Sequence, residues 1–144
     1  MGNMVVGIDC GVHTGFAVKV AGVLVVVSSM KIHNSMFKVL ELQDEAKAKG
    51  LGFKVCVEDA RLRKWFGHDE ARTRSKLQGA GSVKRDAVIW QDFLREHGIV
   101  FEMIPPRANM TKTSAAFFKS LTGWQGVTNE HGRDAAMMVW NKRG

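Results

Sequence analysis

Three apolar stretches follow one another closely at the start of the chain. Met4 to Asp9 is a compact apolar run closing on a carboxylate, Thr14 to Lys19 alternates moderately, and Val23 to Val27 is β-branched and apolar. Cys10-Gly11-Val12-His13 and Ala21-Gly22 separate them as turns, so an antiparallel meander of three strands is predicted. Asn34 or Ser35 can cap a helix that runs to Lys49 and stops at Gly50. Its apolar positions Met36, Val39, Leu40 and Ala46 fall mostly on one face, and Lys47 and Lys49 suit the negative end of its dipole. Phe53 to Glu58 reads as a fourth strand, again closing on an acid.

A polar stretch from Asp59 to Gly81 intervenes. Ser82 then caps a helix reaching His97, with Val83, Ala87, Trp90 and Leu94 at helical intervals and Gly98 as its stop. Ile99 to Ile104 is the predicted fifth strand, ended by Pro105-Pro106 because proline cannot extend the ladder. A helix around Ser114 to Leu121, a glycine-rich loop and a last helix from about Asp134 to Lys142 complete the chain. The pattern predicts one α/β domain over residues 1–144, ordered βββαβαβα, with a mixed five-stranded sheet and helices on both faces. If the first and fourth strands are parallel neighbours, Asp9 and Glu58 emerge at the same sheet edge, where α/β proteins usually place their sites.

Composition narrows the class without fixing the chemistry. The 144 residues suffice for one core, and 45% hydrophobic with 24% charged residues excludes a disordered or fibrous chain. The longest apolar run, Val20 to Val27, is far too short to span a bilayer, and Met1 to Met4 carries no basic residue of a secretory signal. Cys10 and Cys56 form no CxxC pair and read as buried free thiols, which points to an intracellular, cytoplasmic protein. The net charge of +7 leans towards an anionic partner. Most of it lies between Arg61 and Asp86, where Arg61, Arg63, Lys64, Arg72, Arg74, Lys76, Lys84 and Arg85 face three acids. Trp65 and Phe66 interleave with these cations, the pairing expected where phosphates are neutralised and bases stacked; a mobile loop tip is the expected setting. Met103 to Asn129 contains no acid but holds Arg107, Lys112 and Lys119.

Asp9 or Glu58 alone could be a turn former, and Asp59 should point to the opposite face or into the loop. His131 and Asp134 stand three apart and so share a helix face. Acids at a helix start can serve capping alone, but three elements each delivering one acid at an end exceeds that need. Oxygen ligands with one imidazole suit Mg²⁺ or Mn²⁺, and two such ions roughly 3.5–4 Å apart would activate water and stabilise the leaving oxygen of a phosphodiester. His13 reads as a turn residue; Met30, Met36 and Met103 read as core filler, and Met137, Met138 and Trp140 as packing of the last helix or a subunit contact.

Gly7-Ile8-Asp9-Cys10-Gly11-Val12-His13-Thr14-Gly15, then Val57-Glu58, then His131-Gly132-Arg133-Asp134-Ala135 resemble the RuvC-like Holliday junction resolvases of the RNase H-like superfamily. Gly79-Ala80-Gly81-Ser82 also looks like the glycine-rich start of that family's dimer helix. The resemblance implies an RNase H-like fold, two divalent ions held by Asp9, Glu58, Asp134 and His131, and a homodimer nicking opposed strands of a four-way junction or other branched DNA. It further implies that Lys112 lies near the scissile phosphate, that no nucleotide cofactor or membrane is involved, and that the host is a bacterial cell or one infected by a phage. Cys10 stands where the family usually has proline, and Arg61 where it commonly has a base-stacking aromatic, with Trp65 and Phe66 four to five residues further on. A related nuclease acting on RNA or RNA–DNA hybrid, and a basic nucleic-acid-binding module without catalysis, are the competing readings. Gly7 to Gly11 also resembles the first phosphate loop of actin-like ATPases and sugar kinases, which need a second domain to close on nucleotide.

Overall fold

In the computed structural model, residues 2–63, 70–106 and 113–142 are described, with side chains omitted for 70–80. Five strands, β1 (Asn3–Asp9), β2 (His13–Val20), β3 (Val23–Lys31), β4 (Gly52–Glu58) and β5 (Phe101–Ile104), form one sheet in the order β3-β2-β1-β4-β5. The first three pair antiparallel as the expected meander, whereas β1–β4 and β4–β5 are parallel. The parallel pairs are joined by helices α1 (Ile32–Ala48) and α2 (Glu70–Glu96); α3 (Ala115–Thr122) and α4 (Glu130–Trp140) follow β5.

Strand alternation sorts the core into two layers. Met4, Val6, Ile8, Phe16, Val18, Val55 and Val57 pack with Val39, Leu42 and Ala46 of α1 and Ala87, Trp90 and Leu94 of α2. Val5, Ala17, Leu24, Val27 and Cys56 face the other way, onto Phe118 of α3 and Ala135, Ala136 and Val139 of α4. The mixed sheet with helices on both faces is therefore the predicted α/β architecture. Met30, Met36 and Met103 pack against the first layer, and Met137 and Trp140 against the second. Cys10 and Cys56 are buried free thiols. None of the described helices is long and apolar enough to cross a membrane.

Several boundaries differ from expectation. The α1 helix begins at Ile32 with no side-chain cap, and the Ser35 hydroxyl instead donates back to the Ile32 carbonyl at 2.7 Å. Backbone extension thus starts two to three residues before the polar signal. Within the polar stretch after Glu58, Ala60–Leu62 is a short 3₁₀ turn, residues 64–69 lie outside the described residues, and helix begins at Glu70, so α2 is much longer than the apolar stripe announces. The α4 helix starts at Glu130, capped by Asn129, rather than at Asp134. Charged first-turn residues had hidden that start, because acids there serve the dipole and carry no hydrophobic period.

Candidate active site

Register decides what the strand-end acids can reach. Ile8 of β1 lies opposite Val57 of β4, so the next residues, Asp9 and Glu58, leave the sheet at the same end. Both stand an even number of positions from residues of the α3/α4 layer, Val5 for Asp9 and Cys56 for Glu58. They accordingly belong to the α4 face. Cys10 and Asp59 have the opposite parity, and Cys10 lies in the α1/α2 layer. As expected, Asp59 is turned away from the pair: its buried carboxylate accepts from the Arg61 backbone N–H and caps the 3₁₀ turn.

The first turn of α4 is pressed onto the meander. Asn129 Oδ1 accepts from the Gly132 N–H at 2.8 Å, while its Nδ2 donates to Ser29 Oγ of β3 at 2.7 Å. At Gly15 of β2 there is no room for a side chain: a Cβ would run into the His131 carbonyl oxygen and stand 2.9 Å from Asp9 Cβ. Gly7 of β1 makes the same allowance for the Ala135 carbonyl one turn further on. This close approach sets His131 Nδ1 at 3.6 Å from Asp9 Oδ2. The separation is an ion-pair distance when the imidazole is protonated and too long for a hydrogen bond. Asp134, three residues on, shares the flank of α4 that carries His131. His13 opens β2 rather than lying in the turn, with its ring centroid 6.2 Å from that of His131.

The acids at this edge also act on Cys10, which follows Asp9 in the chain. The Cys10 thiol, which donates to the Glu58 carbonyl at 3.5 Å, is pushed far above the ordinary thiol range. Burial is the main cause, and the charges of Asp9, Asp86, Glu58 and Asp59 add to it. Asp86, carried in by α2, was not anticipated. Its signal was an acid standing between Val83 and Ala87 on the inward stripe of the helix. Three carboxylates and one imidazole, Asp9, Glu58, Asp134 and His131, are donors of the chemical type that Mg²⁺ or Mn²⁺ accepts. Among the described residues no three His, Cys, Asp or Glu side chains already form a group that could hold an ion.

The basic candidates fall into different settings. Arg61 is committed to protein partners: its guanidinium donates to Asp59 Oδ2 at 2.7 Å and to Gln91 Oε1 of α2 at 2.9 Å. That pairing holds the Asp59 carboxyl below the usual aspartate range and locks the end of β4 to α2. Arg63 is exposed; Arg85 is exposed and 3.9 Å from Asp86, and Lys84 is half-buried. Arg72, Arg74 and Lys76 belong to α2, but their side chains lie outside the described set, as do Lys64, Trp65, Phe66, Arg107 and Lys112 entirely. Trp90 is wholly buried under the sheet, leaving Val88 and Ile89 exposed on the outer face of α2.

One residue of the third motif has a role the sequence did not suggest. Arg133 donates through Nε to the Thr113 carbonyl at 2.8 Å and through Nη1 to Thr128 Oγ1 at 2.9 Å and its carbonyl at 3.2 Å. It thereby ties both ends of the excursion that contains α3 to the first turn of α4.

No family model and no curated protein sequence matches the chain. Its fold is similar to that of the solved structure of Thermus thermophilus RuvC, with a TM-score of 0.54 and 18% sequence identity. The alignment covers 95% of this chain and 91% of that one, so the likeness takes in the whole sheet and its helices. The expected mixed five-stranded α/β fold with helices on both faces is therefore the one observed, and it is similar to that of the RuvC structure.

Proposed function

We propose that the protein is a metal-dependent, structure-selective DNA endonuclease that resolves four-way junctions by paired nicks. The observation that supports this most is the convergence, in a RuvC-like fold, of Asp9 and Glu58 at the ends of adjacent parallel strands, on the face where α4 sets His131 beside Asp9. Asp9, Glu58, His131 and Asp134 would hold two Mg²⁺ ions, or Mn²⁺ in their place. When bound, such ions supply an activated water and stabilise the leaving oxygen of the phosphodiester.

The chain's own residues perform the remaining tasks in this reading. The sheet fixes the backbone positions from which the Asp9 and Glu58 carboxylates project, so bound cations would offset the charge gathered at this edge. The imidazole of His131 stays close to Asp9 because the Gly15 approach fixes the carbonyl of the same residue. The basic excess from Arg63 to Arg85, with Lys64, Arg72, Arg74, Lys76 and Lys84, and Arg107 and Lys112 further on, supplies attraction for the DNA backbone. Trp65 and Phe66 would stack on bases at the junction centre, and Lys112 would act near the scissile phosphate. A two-fold substrate calls for a homodimer, and Val88 and Ile89 on the outer face of α2 supply apolar surface for it.

The test is a panel of labelled four-way junction, flap, Y-form and duplex DNA with an RNA–DNA hybrid, incubated with Mg²⁺. Asp9→Asn, Glu58→Gln and Asp134→Asn are expected to abolish cutting while junction binding persists, and His131→Ala to cause a smaller, metal-dependent loss. Full activity in any of the three acid variants would refute the two-metal assignment, and cleavage of the hybrid alone would transfer the reading to RNA.

A further inference from the structure

On the β3 side of the acids, the sheet edge carries two polar side chains that the fold leaves unused. In the meander Asp9 is level with Gly15 of β2, and His13, two residues beyond Gly15, is level with Lys31 at the end of β3. Strands lie about 4.8 Å apart and rise about 3.4 Å per residue, so His13 stands one strand aside from Asp9 and about 7 Å further out. Lys31 stands one strand beyond His13. Both belong to the α4 face, because His13 has the parity of Ala17 on β2 and Lys31 that of Val27 on β3.

Both side chains are exposed, and among the described residues neither makes a hydrogen bond or an ion pair. The His13 ring lies 6.2 Å from that of His131, which in turn stands beside Asp9. No Asp or Glu occurs between Cys10 and Leu40, so β2, β3 and the first turn of α1 bring no carboxylate to this flank. Glu130 of α4 is exposed on the side of that helix opposite the buried Gly132, Ala136 and Val139. A lysine without an acid, next to an imidazole N–H, offers an oxyanion one charge and one directed donor. Placement separates this lysine from an ordinary solvated one: it stands on the face, and beyond the edge, where Asp9 and Glu58 emerge. A phosphodiester held over those acids brings its neighbouring phosphates with it. Arg63, Lys84 and Arg85 belong to the connection after β4 and to α2, whereas Lys31 is an exposed cation at the β3 end of the same edge.

We infer that His13 and Lys31 together hold a phosphate of the substrate strand close to the scissile one, His13 by donating an imidazole N–H to its oxygen and Lys31 by its charge. The inference rests on the DNA-endonuclease reading and deepens it with a substrate contact on the β2–β3 flank of the same edge.

Fluorescence anisotropy of the full chain with a labelled four-way junction, in EDTA so that nothing is cut, gives affinity against salt concentration. Lys31→Gln is expected to weaken binding about threefold to tenfold and to lower the salt slope by about one unit, while Lys31→Arg keeps both. His13→Ala should weaken binding about threefold through the lost hydrogen bond. Both side chains are exposed, so melting temperatures should stay within about 2 °C of wild type. Junctions carrying a single neutral methylphosphonate at successive positions near the junction centre locate the contact. At one position the modification should weaken wild-type binding and leave that of Lys31→Gln unaltered. Wild-type affinity and salt slope in Lys31→Gln overturn the inference, and so does an equal loss in both proteins at every modified position. A wild type that shows the coupling but never cuts DNA counts against the nuclease reading alone, and one that binds no DNA overturns both.

Discussion

Replacing Gly15 by alanine strikes the one place where β2, Asp9 and the first turn of α4 meet. The new methyl would stand 2.7 Å from the His131 carbonyl carbon and 2.9 Å from Asp9 Cβ, and would overlap the His131 oxygen. Carbons pack at roughly 3.5–4.0 Å, so the deficit is on the order of 1 Å. The obstacle is backbone, which cannot rotate away as a side-chain tip would. Overpacking a core costs about 1–3 kcal/mol, and a backbone clash belongs at the top of that range. For a domain of this size about 3 kcal/mol lowers the melting temperature by roughly 10 °C. The relief available is to lift α4 from the sheet, which carries His131 away from Asp9. A displacement of about 1 Å at a reacting centre can cost on the order of a hundredfold in rate. Circular dichroism melts and junction cleavage should therefore both fall in Gly15→Ala. Gly81→Ala is the control: it stands within α2 with nothing inside 4 Å of an added Cβ, and should gain up to about 1 kcal/mol from helix propensity. A Gly15→Ala protein that melts within 2 °C of wild type (roughly 0.5 kcal/mol) and cuts normally would refute the packing argument.

Lys19 is 4% exposed and donates to the Trp140 and Lys142 carbonyls at the end of α4, so Lys19→Met should cost about 2 kcal/mol by leaving them unpaired; hydrogen exchange should quicken in the last turn of α4, and unchanged exchange would contradict the cap. Asp59→Ala removes both the 3₁₀ cap and the partner of the one-third-exposed Arg61, and is expected to cost about 2 kcal/mol in a urea titration. Because Arg61 lowers the folded pKa of Asp59, this contribution is complete above about pH 4, near the ordinary aspartate value, and is lost as pH falls towards the depressed one. A wild-type stability profile flat from pH 5 to well below 4 would contradict it. Burial raises both thiols, so Ellman's reagent at pH 8 should find neither Cys10 nor Cys56 until the chain is unfolded.

The fold was largely legible in the order of apolar runs. Strands covered on both faces read as near-continuous apolar runs, and the runs ending at Asp9 and Glu58 show this, each with a carboxylate at its end. The three motifs with the residues between them were enough to suggest the architecture that the sheet order confirms. What the pattern could not show was where polar helix begins. The opening turns of α2 and α4 are rich in charge, and solvent-facing helix carries no hydrophobic period to read.

For the site, sequence determined the residue types and tertiary structure decided their company. Asp9 and Glu58 could be placed at strand ends from the sequence, because a strand's last residue is set by local pattern. That both face α4 follows from the parallel register of β1 and β4, a relation between segments far apart in the chain. Arg61 and Arg133 show the same division. Each is simply a cation in the sequence, yet one is bound to Asp59 and Gln91 and the other to Thr113 and Thr128, partners brought near only by packing. Local sequence fixes what a side chain can donate or accept. Whether it spends that capacity on solvent, on DNA or on its own protein depends on which distant backbone comes within about 3 Å, and chain folding alone decides that.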